Sequence, residues 1–141
     1  MKIFYIVEPE VAGGFGDLTV IDRSSGEMVV KELHYKFEGW FGDHLLESAP
    51  CYIVSEELAD EIKSEQLLGV EFDKVDVSKS DQFCELYPDR ELPKFIWLKV
   101  TGIPGHDDFG VASGLRLVVS EHALDLLKRI GISHAASILR F

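Results

Sequence analysis

"CYIVSEELADEIKSEQLLGVEF" (residues 51–72) joins two kinds of hydrophobic period in one run. It begins as a short apolar strand, turns at Val-Ser-Glu into an amphipathic helix, and leaves through an apolar-Gly-apolar exit. "LRLVVSEHALDLLKRIGISHA" (115–135) repeats the same plan. Ser55 and Ser120 are placed as helix N-caps, where a hydroxyl accepts from backbone N–H groups that the first turn leaves free. Glu56 and Glu121 follow, in the turn where the helix dipole favours negative charge. Neither start is a full capping box, because Leu58 and Ala123 stand three residues after the serines. Leu58, Ala59 and Ile62 form one apolar stripe, and Ala123, Leu124, Leu127 and Ile130 form the other. Gly69 and Gly131 are the expected C-terminal stops. A strand-helix unit used twice reflects either duplication or independent reuse of a good cap.

Near the N-terminus, "KIFYIVE" (2–8) reads as a first strand and "PEVAGGFG" as a breaker-rich loop. "DLTVID" and "EMVVKELHY" form an expected hairpin around Gly26, which supplies the positive φ of a tight turn. "KFEGWFGDHLLES" reads as loop, with a helical turn open for its last residues. "VEFDKVDV" (70–77) alternates as one half-buried strand. "SDQFCELY" is a short helix capped by Ser80 and ended by Pro88. "KFIWLKV" (94–100) is the strongest strand, with Phe95, Trp97 and Lys99 on one face and Ile96, Leu98 and Val100 on the other. Strands and helices mix without regular βαβ alternation. The expectation is a single α+β domain spanning 1–141, with two or three helices packed on a mostly antiparallel sheet.

The chain has 141 residues, 46% of them hydrophobic, enough for one buried core. Its apolar runs are strand-sized, too short for a transmembrane helix. "MKIFYIVEPE" lacks the longer apolar region of a secretory signal, which suggests a cytoplasmic protein. Cys51 and Cys84 lie in apolar patterns and in no metal-like spacing, so both read as reduced, buried thiols. The formal charge is −11. Such a surface repels nucleic acid and anionic membranes and attracts basic proteins. Most of that charge lies between Glu38 and Glu65, where eight acids stand against Lys63 alone.

Chemical motifs are sparse. "PGHDDFG" (104–110) offers His106, Asp107 and Asp108 as metal ligands, but adjacent residues rarely converge on one ion. Turn chemistry accounts for the same letters: Pro104 presets φ, Gly105 accepts a positive φ, and either aspartate can bond the local backbone. No HExxH, cysteine-pair or EF-hand spacing occurs, and no cofactor is expected. Ser113 lacks the flanks of a nucleophile elbow, and "AGGFGD" lacks the spacing of a phosphate loop. His122 and His134 read as exposed or half-exposed positions around the last helix. "GWFGDHLLE" sets Trp40 and Phe41 among glycines and acids, where Trp40 is either a core plug or an exposed anchor.

As a set, "GDHLLESAPCYIVSEELADEI", "LLGVEFDKVDV", "DQFCELYPDRELPKFIWLKVTG", "HDDFGVASGLRLVVSEHALDLLK" and "GISHA" resemble a family of small bacterial proteins found beside polymorphic toxins. Its members are regarded as immunity partners of those toxins. The resemblance runs from about Trp40 to the C-terminus. It implies a non-enzymatic protein that binds and neutralises a cognate toxin, and it brings no catalytic residues. A basic toxin surface would meet an acidic face, for which Asp43, Glu47, Asp107 and Asp108 are the candidates, with Trp40 or Phe41 as apolar anchor. The alternatives are a metal-assisted hydrolase built on His106, Asp107 and Asp108, and a regulatory scaffold with a peptide ligand.

Overall fold

The computed structural model describes residues 2–141. The chain is α+β, and its two capped helices organise it. Helix α1 (Glu56–Ser64) follows strand β7 (Cys51–Ser55), and helix α3 (Glu121–Ile130) follows strand β12 (Arg116–Ser120). Ser55 Oγ accepts from Leu58 N at 3.1 Å, and Ser120 Oγ from Ala123 N at 3.1 Å. Both serines are the N-caps the sequence implies.

The repeat extends well beyond the helices. One fully antiparallel sheet contains β6 (Leu45–Ser48), β7, β10 (Phe95–Val100) and β8 (Val70–Asp73), in the order β6-β7-β10-β8. The other contains β11 (Phe109–Ala112), β12, β1 (Phe4–Glu8) and β13 (Ser137–Arg140), in the order β11-β12-β1-β13. In each, a hairpin leads into a capped helix. The chain then returns two strands away, leaving a slot that a strand from elsewhere fills. β10 fills the first slot and β1 the second. Phe95 faces Ser55 and Phe4 faces Ser120, so the two inserted strands share one register against the caps.

Both helices and the helix-bearing faces of both sheets close one core, which includes Leu58, Ile62, Leu98, Val119, Leu124 and Leu127. A second core lies on the far face of β10, where Phe95 and Trp97 meet Tyr35, Phe37, Ile53 and Phe83. β10 therefore sends Ile96, Leu98 and Val100 to one core and Phe95 and Trp97 to the other, as its alternation implies. The second core is covered by β5 (His34–Phe37) and by α2 (Asp81–Leu86), with Ser80 capping α2 through Phe83 N at 3.0 Å. The hairpin β3 (Val20–Asp22) and β4 (Val29–Glu32) turns at Gly26, whose φ is +85°.

Several local expectations differ from the structure. "PEVAGGFG" contains β2 (Gly13–Phe15), paired antiparallel with β5; at Gly13 any Cβ would strike the Lys36 carbonyl, so the glycine permits the pairing that breakers usually prevent. "HLLES" forms β6 rather than a helical turn, because Leu45 and Leu46 point into the two opposite cores. "VEFDKVDV" divides into β8 and β9 (Asp76–Lys79), the latter joining β5 in parallel. Gly131 caps α3, but α1 stops at Glu65, and Gln66 takes the left-handed φ of 55°. Gly69 serves another purpose. It has φ +98° and lies where the two units meet, and an added Cβ would run into the Phe109 carbonyl oxygen and crowd Gly102. Of the two thiols, only Cys51 is buried; Cys84 is exposed, and both are free.

Glu65 links the two helices on their exposed side, with His122 Nε2 at 2.8 Å and Arg129 Nη2 at 2.8 Å. The His122 hydrogen bond, followed by Arg129, holds the Glu65 carboxyl below its ordinary value of 4.5. A depressed carboxyl contributes stability above its unfolded value and loses it as pH falls. The melting-temperature advantage of the native chain over Glu65→Gln should therefore shrink from pH 5.5 to pH 3, as read by circular dichroism. Gly69→Ala should cost about 2 kcal/mol or more in urea unfolding, through both positive φ and backbone collision.

Candidate functional site

The loop between β5 and β6 brings together what no linear motif announces. Phe37 ends β5 inside the second core, and Leu45 begins β6 inside the first, so residues 38–44 must cross between them. Trp40 is the plug for that crossing. Its ring meets Phe95 edge-on at 6.0 Å, Arg90 lies over it at 5.0 Å, and its Nε1 donates to the Asp43 carbonyl at 2.9 Å. With Trp40 turned inward, Phe41 points outward and is 70% exposed.

Asp43 lies beneath, only 1% exposed, and does not belong to a surface acidic face. Its carboxylate receives the His134 backbone N–H at 2.8 Å and contacts His134 Nδ1 at 3.0 Å. Glu10, 5% exposed, lies on its other side and accepts from Phe41 N at 2.8 Å and from Asp43 N at 3.3 Å. Burial pushes the Glu10 carboxyl above its ordinary value and the adjacent Asp43 charge adds to this, while the two N–H donors oppose the shift. Phe41 stacks on the His134 ring at 5.3 Å with planes 23° apart. Residues 10, 41, 43 and 134, from three separate segments, thus form one cluster.

His134 and Glu10 were not visible as site residues in the sequence. The only signal available was the repeat. The start of the first hairpin is tied to the end of the second helix, with His44 N donating to the Gly131 carbonyl at 2.9 Å. That register carries Asp43 to the residues just after Gly131.

The second sequence-derived location, "PGHDDFG", is occupied by structural work. Asp108 Oδ1 accepts from Ser120 Oγ at 2.7 Å and its Oδ2 from Leu68 N at 2.8 Å. Asp107 Oδ2 accepts from Ile103 N at 2.7 Å, which holds its carboxyl below the ordinary value, closing the turn that Pro104 and Gly105 begin. Phe109 is fully buried and anchors the loop. Among the described residues, ligand atoms of three His, Cys, Asp or Glu side chains converge within 4.8 Å at Glu10, Asp43 and His134, and not at His106, Asp107 and Asp108.

A surface feature adjoins the cluster. Val11, 67% exposed, and Phe41 line a shallow groove of about 240 Å³ with Trp40, Tyr87, Glu10 and Glu38. Val11 also borders a second groove of about 390 Å³ that holds Glu8 and Glu47. Burial, with the nearby Glu8 charge, raises the Glu47 carboxyl above its ordinary value. Of the predicted residues, Trp40 and Phe41 therefore share one groove and Glu47 lines the neighbouring one, with Val11 common to both, whereas Asp107 and Asp108 belong to a separate loop.

No protein-family model and no curated protein matches this chain. No helix among the described residues is long and apolar enough to cross a membrane.

Asp43→Asn should destabilise the chain by about 2 kcal/mol in urea unfolding, because a buried acceptor of charge-assisted bonds is weakened. His106→Ala, on an exposed side chain, should stay within about 0.5 kcal/mol of the native chain.

Proposed function

We propose that this protein is a non-enzymatic binding protein that engages a basic protein through the Val11–Phe41 strip, and that the partner is a toxin it neutralises. The observation that carries this reading is Phe41, a large aromatic side chain left 70% exposed yet held in place by the His134 stack. An exposed aromatic with few free rotamers loses little entropy on docking, which is the usual property of an interface anchor. Val11 extends the apolar contact, and Trp40 supports it from below. Glu38 borders the groove of Phe41, and Glu8 and Glu47 line the adjoining one together with Arg116.

The net charge of −11 supports the same partner chemistry. A basic protein approaching this surface is steered by the field, and the apolar anchor then slows its departure. The resemblance of residues 40–141 to immunity-type proteins favours a toxin as that partner. In this reading Asp43 contributes by fixing the loop, and Asp107 and Asp108 by fixing theirs.

The test is co-expression with the product of the neighbouring gene, followed by surface-binding kinetics. Phe41→Ala should weaken binding by about 10- to 100-fold, mainly through faster dissociation, with the melting temperature little changed. Glu38→Lys with Glu47→Lys should slow association by about tenfold and flatten its salt dependence. A neighbouring product that is not toxic, or that binds Phe41→Ala as tightly as the native chain, would end this reading.

A further inference from the structure

We propose that Glu10, Asp43 and His134 form a binding site for a divalent transition-metal ion, Zn²⁺ being the best match to their chemistry. The inference goes beyond the binding role above and holds whether or not the groove takes a basic partner.

The donor set is mixed, two carboxylates and one imidazole, with ligand atoms within 4.8 Å of one another. In a tetrahedral zinc site with bonds of about 2.0–2.2 Å, neighbouring ligand atoms sit roughly 3.3 Å apart. Asp43 Oδ1 and His134 Nδ1 are already at 3.0 Å. A Glu10 carboxylate oxygen lies within 4.8 Å of both.

Electrostatics supplies a second argument. Glu10 and Asp43 are both buried, and neither is within ion-pair distance of a lysine or arginine among the described residues. Two adjacent buried carboxylates without a cation repel each other and carry a desolvation cost. A divalent ion relieves both effects.

The surroundings are those of oriented ligands. Phe41 and Asp43 N–H groups hold Glu10, and the His134 N–H holds Asp43. Each carboxylate oxygen has two lone pairs, so these bonds persist when the oxygens ligate an ion, and they fix its ligands in direction. The site takes the neutral His134 tautomer that carries its proton on Nε2, which leaves the Nδ1 lone pair for the metal. Phe41 stacks on one imidazole face and fixes the orientation of the ring. Imidazole nitrogen beside carboxylate oxygen favours Zn²⁺, Co²⁺ or Ni²⁺ over Mg²⁺ and Ca²⁺.

The three ligands come from the β1–β2 connection, the β5–β6 loop and the segment after α3, so an ion here would cross-link distant parts of the chain. Thermal melts of the isolated protein with Zn²⁺ or Mg²⁺, and the visible absorption of added Co²⁺, test the site. Zn²⁺ at about a hundredfold excess over its Kd should raise the melting temperature by roughly 5–10 °C, and Mg²⁺ should not. His134→Ala, which keeps the backbone N–H to Asp43, should lose the Zn²⁺ shift and the Co²⁺ spectrum. Glu10→Asp, which keeps the charge but withdraws the oxygen, should weaken Zn²⁺ by at least tenfold, and His122→Ala should bind as the native chain does. The proposal is overturned if Zn²⁺ leaves the native melt unchanged, if Mg²⁺ matches it, or if His134→Ala keeps native affinity. Since the partner-binding assay uses a different readout, failure here leaves the groove's role open to its own test.

Discussion

Each half of this molecule is closed by an aspartate that reaches across to the other half. Asp43, at the start of the first hairpin, holds the backbone just after α3, while Asp108, at the start of the second, holds the backbone just after α1. Neighbouring backbone bonds reinforce both clasps, His44 N to the Gly131 carbonyl and Phe109 N to the Leu68 carbonyl. Neither four-stranded sheet is complete without a strand from elsewhere, and the segment after each helix is bonded to the opposite hairpin. The fold is thus two similar units made mutually dependent. The same logic reaches the caps, since Ser55 contacts His44 Nδ1 at 2.7 Å and Ser120 bonds Asp108 at 2.7 Å.

That arrangement determines which side chains remain free for function. In the second unit the clasp uses its polar atoms on Ser120 and Leu68, and the loop is anchored by Phe109. In the first unit, the position of Asp108 beside the cap serine is taken by His44, and Asp43 faces a different environment: a second buried carboxylate, an exposed histidine and an outward aromatic. The near-symmetry is broken at one corner, and the functional proposals both arise there. Glu10 is carried to that corner by the short connection after β1, whose Glu47 N to Glu10 carbonyl bond at 3.0 Å joins the two sheets.

Much of the fold was legible because its signals are local. Ser55, Ser80 and Ser120 announce their helices, and the alternation along 94–100 assigns its side chains to two opposite faces, which are the two cores. What stayed hidden depends on long-range pairing. Gly13 and Gly14 read as breakers because the close approach of Lys36 that Gly13 permits is not encoded nearby. Residues 70–77 read as one strand because nothing in their alternation reveals that the two ends serve different sheets. The site was half legible: Trp40, in its plug position, and Phe41 line one groove, and Glu47 lines the next. Asp43 reads as a surface acid, yet burial turns it into a scaffold. Its partners Glu10 and His134 lie 33 and 91 positions away, beyond the reach of any spacing rule.

The interdependence of the two halves is the claim on which the rest stands, and native-state amide hydrogen exchange tests it most directly. Leu68 and His134 both lie on exposed stretches outside helices and strands, where amides ordinarily exchange through small local openings. If the aspartate clasps join the units, both amides should exchange only through global unfolding, with the same free energy as the β10 and β12 strands. Exchange of either amide at a much lower free energy, with the strands still protected, would contradict the account.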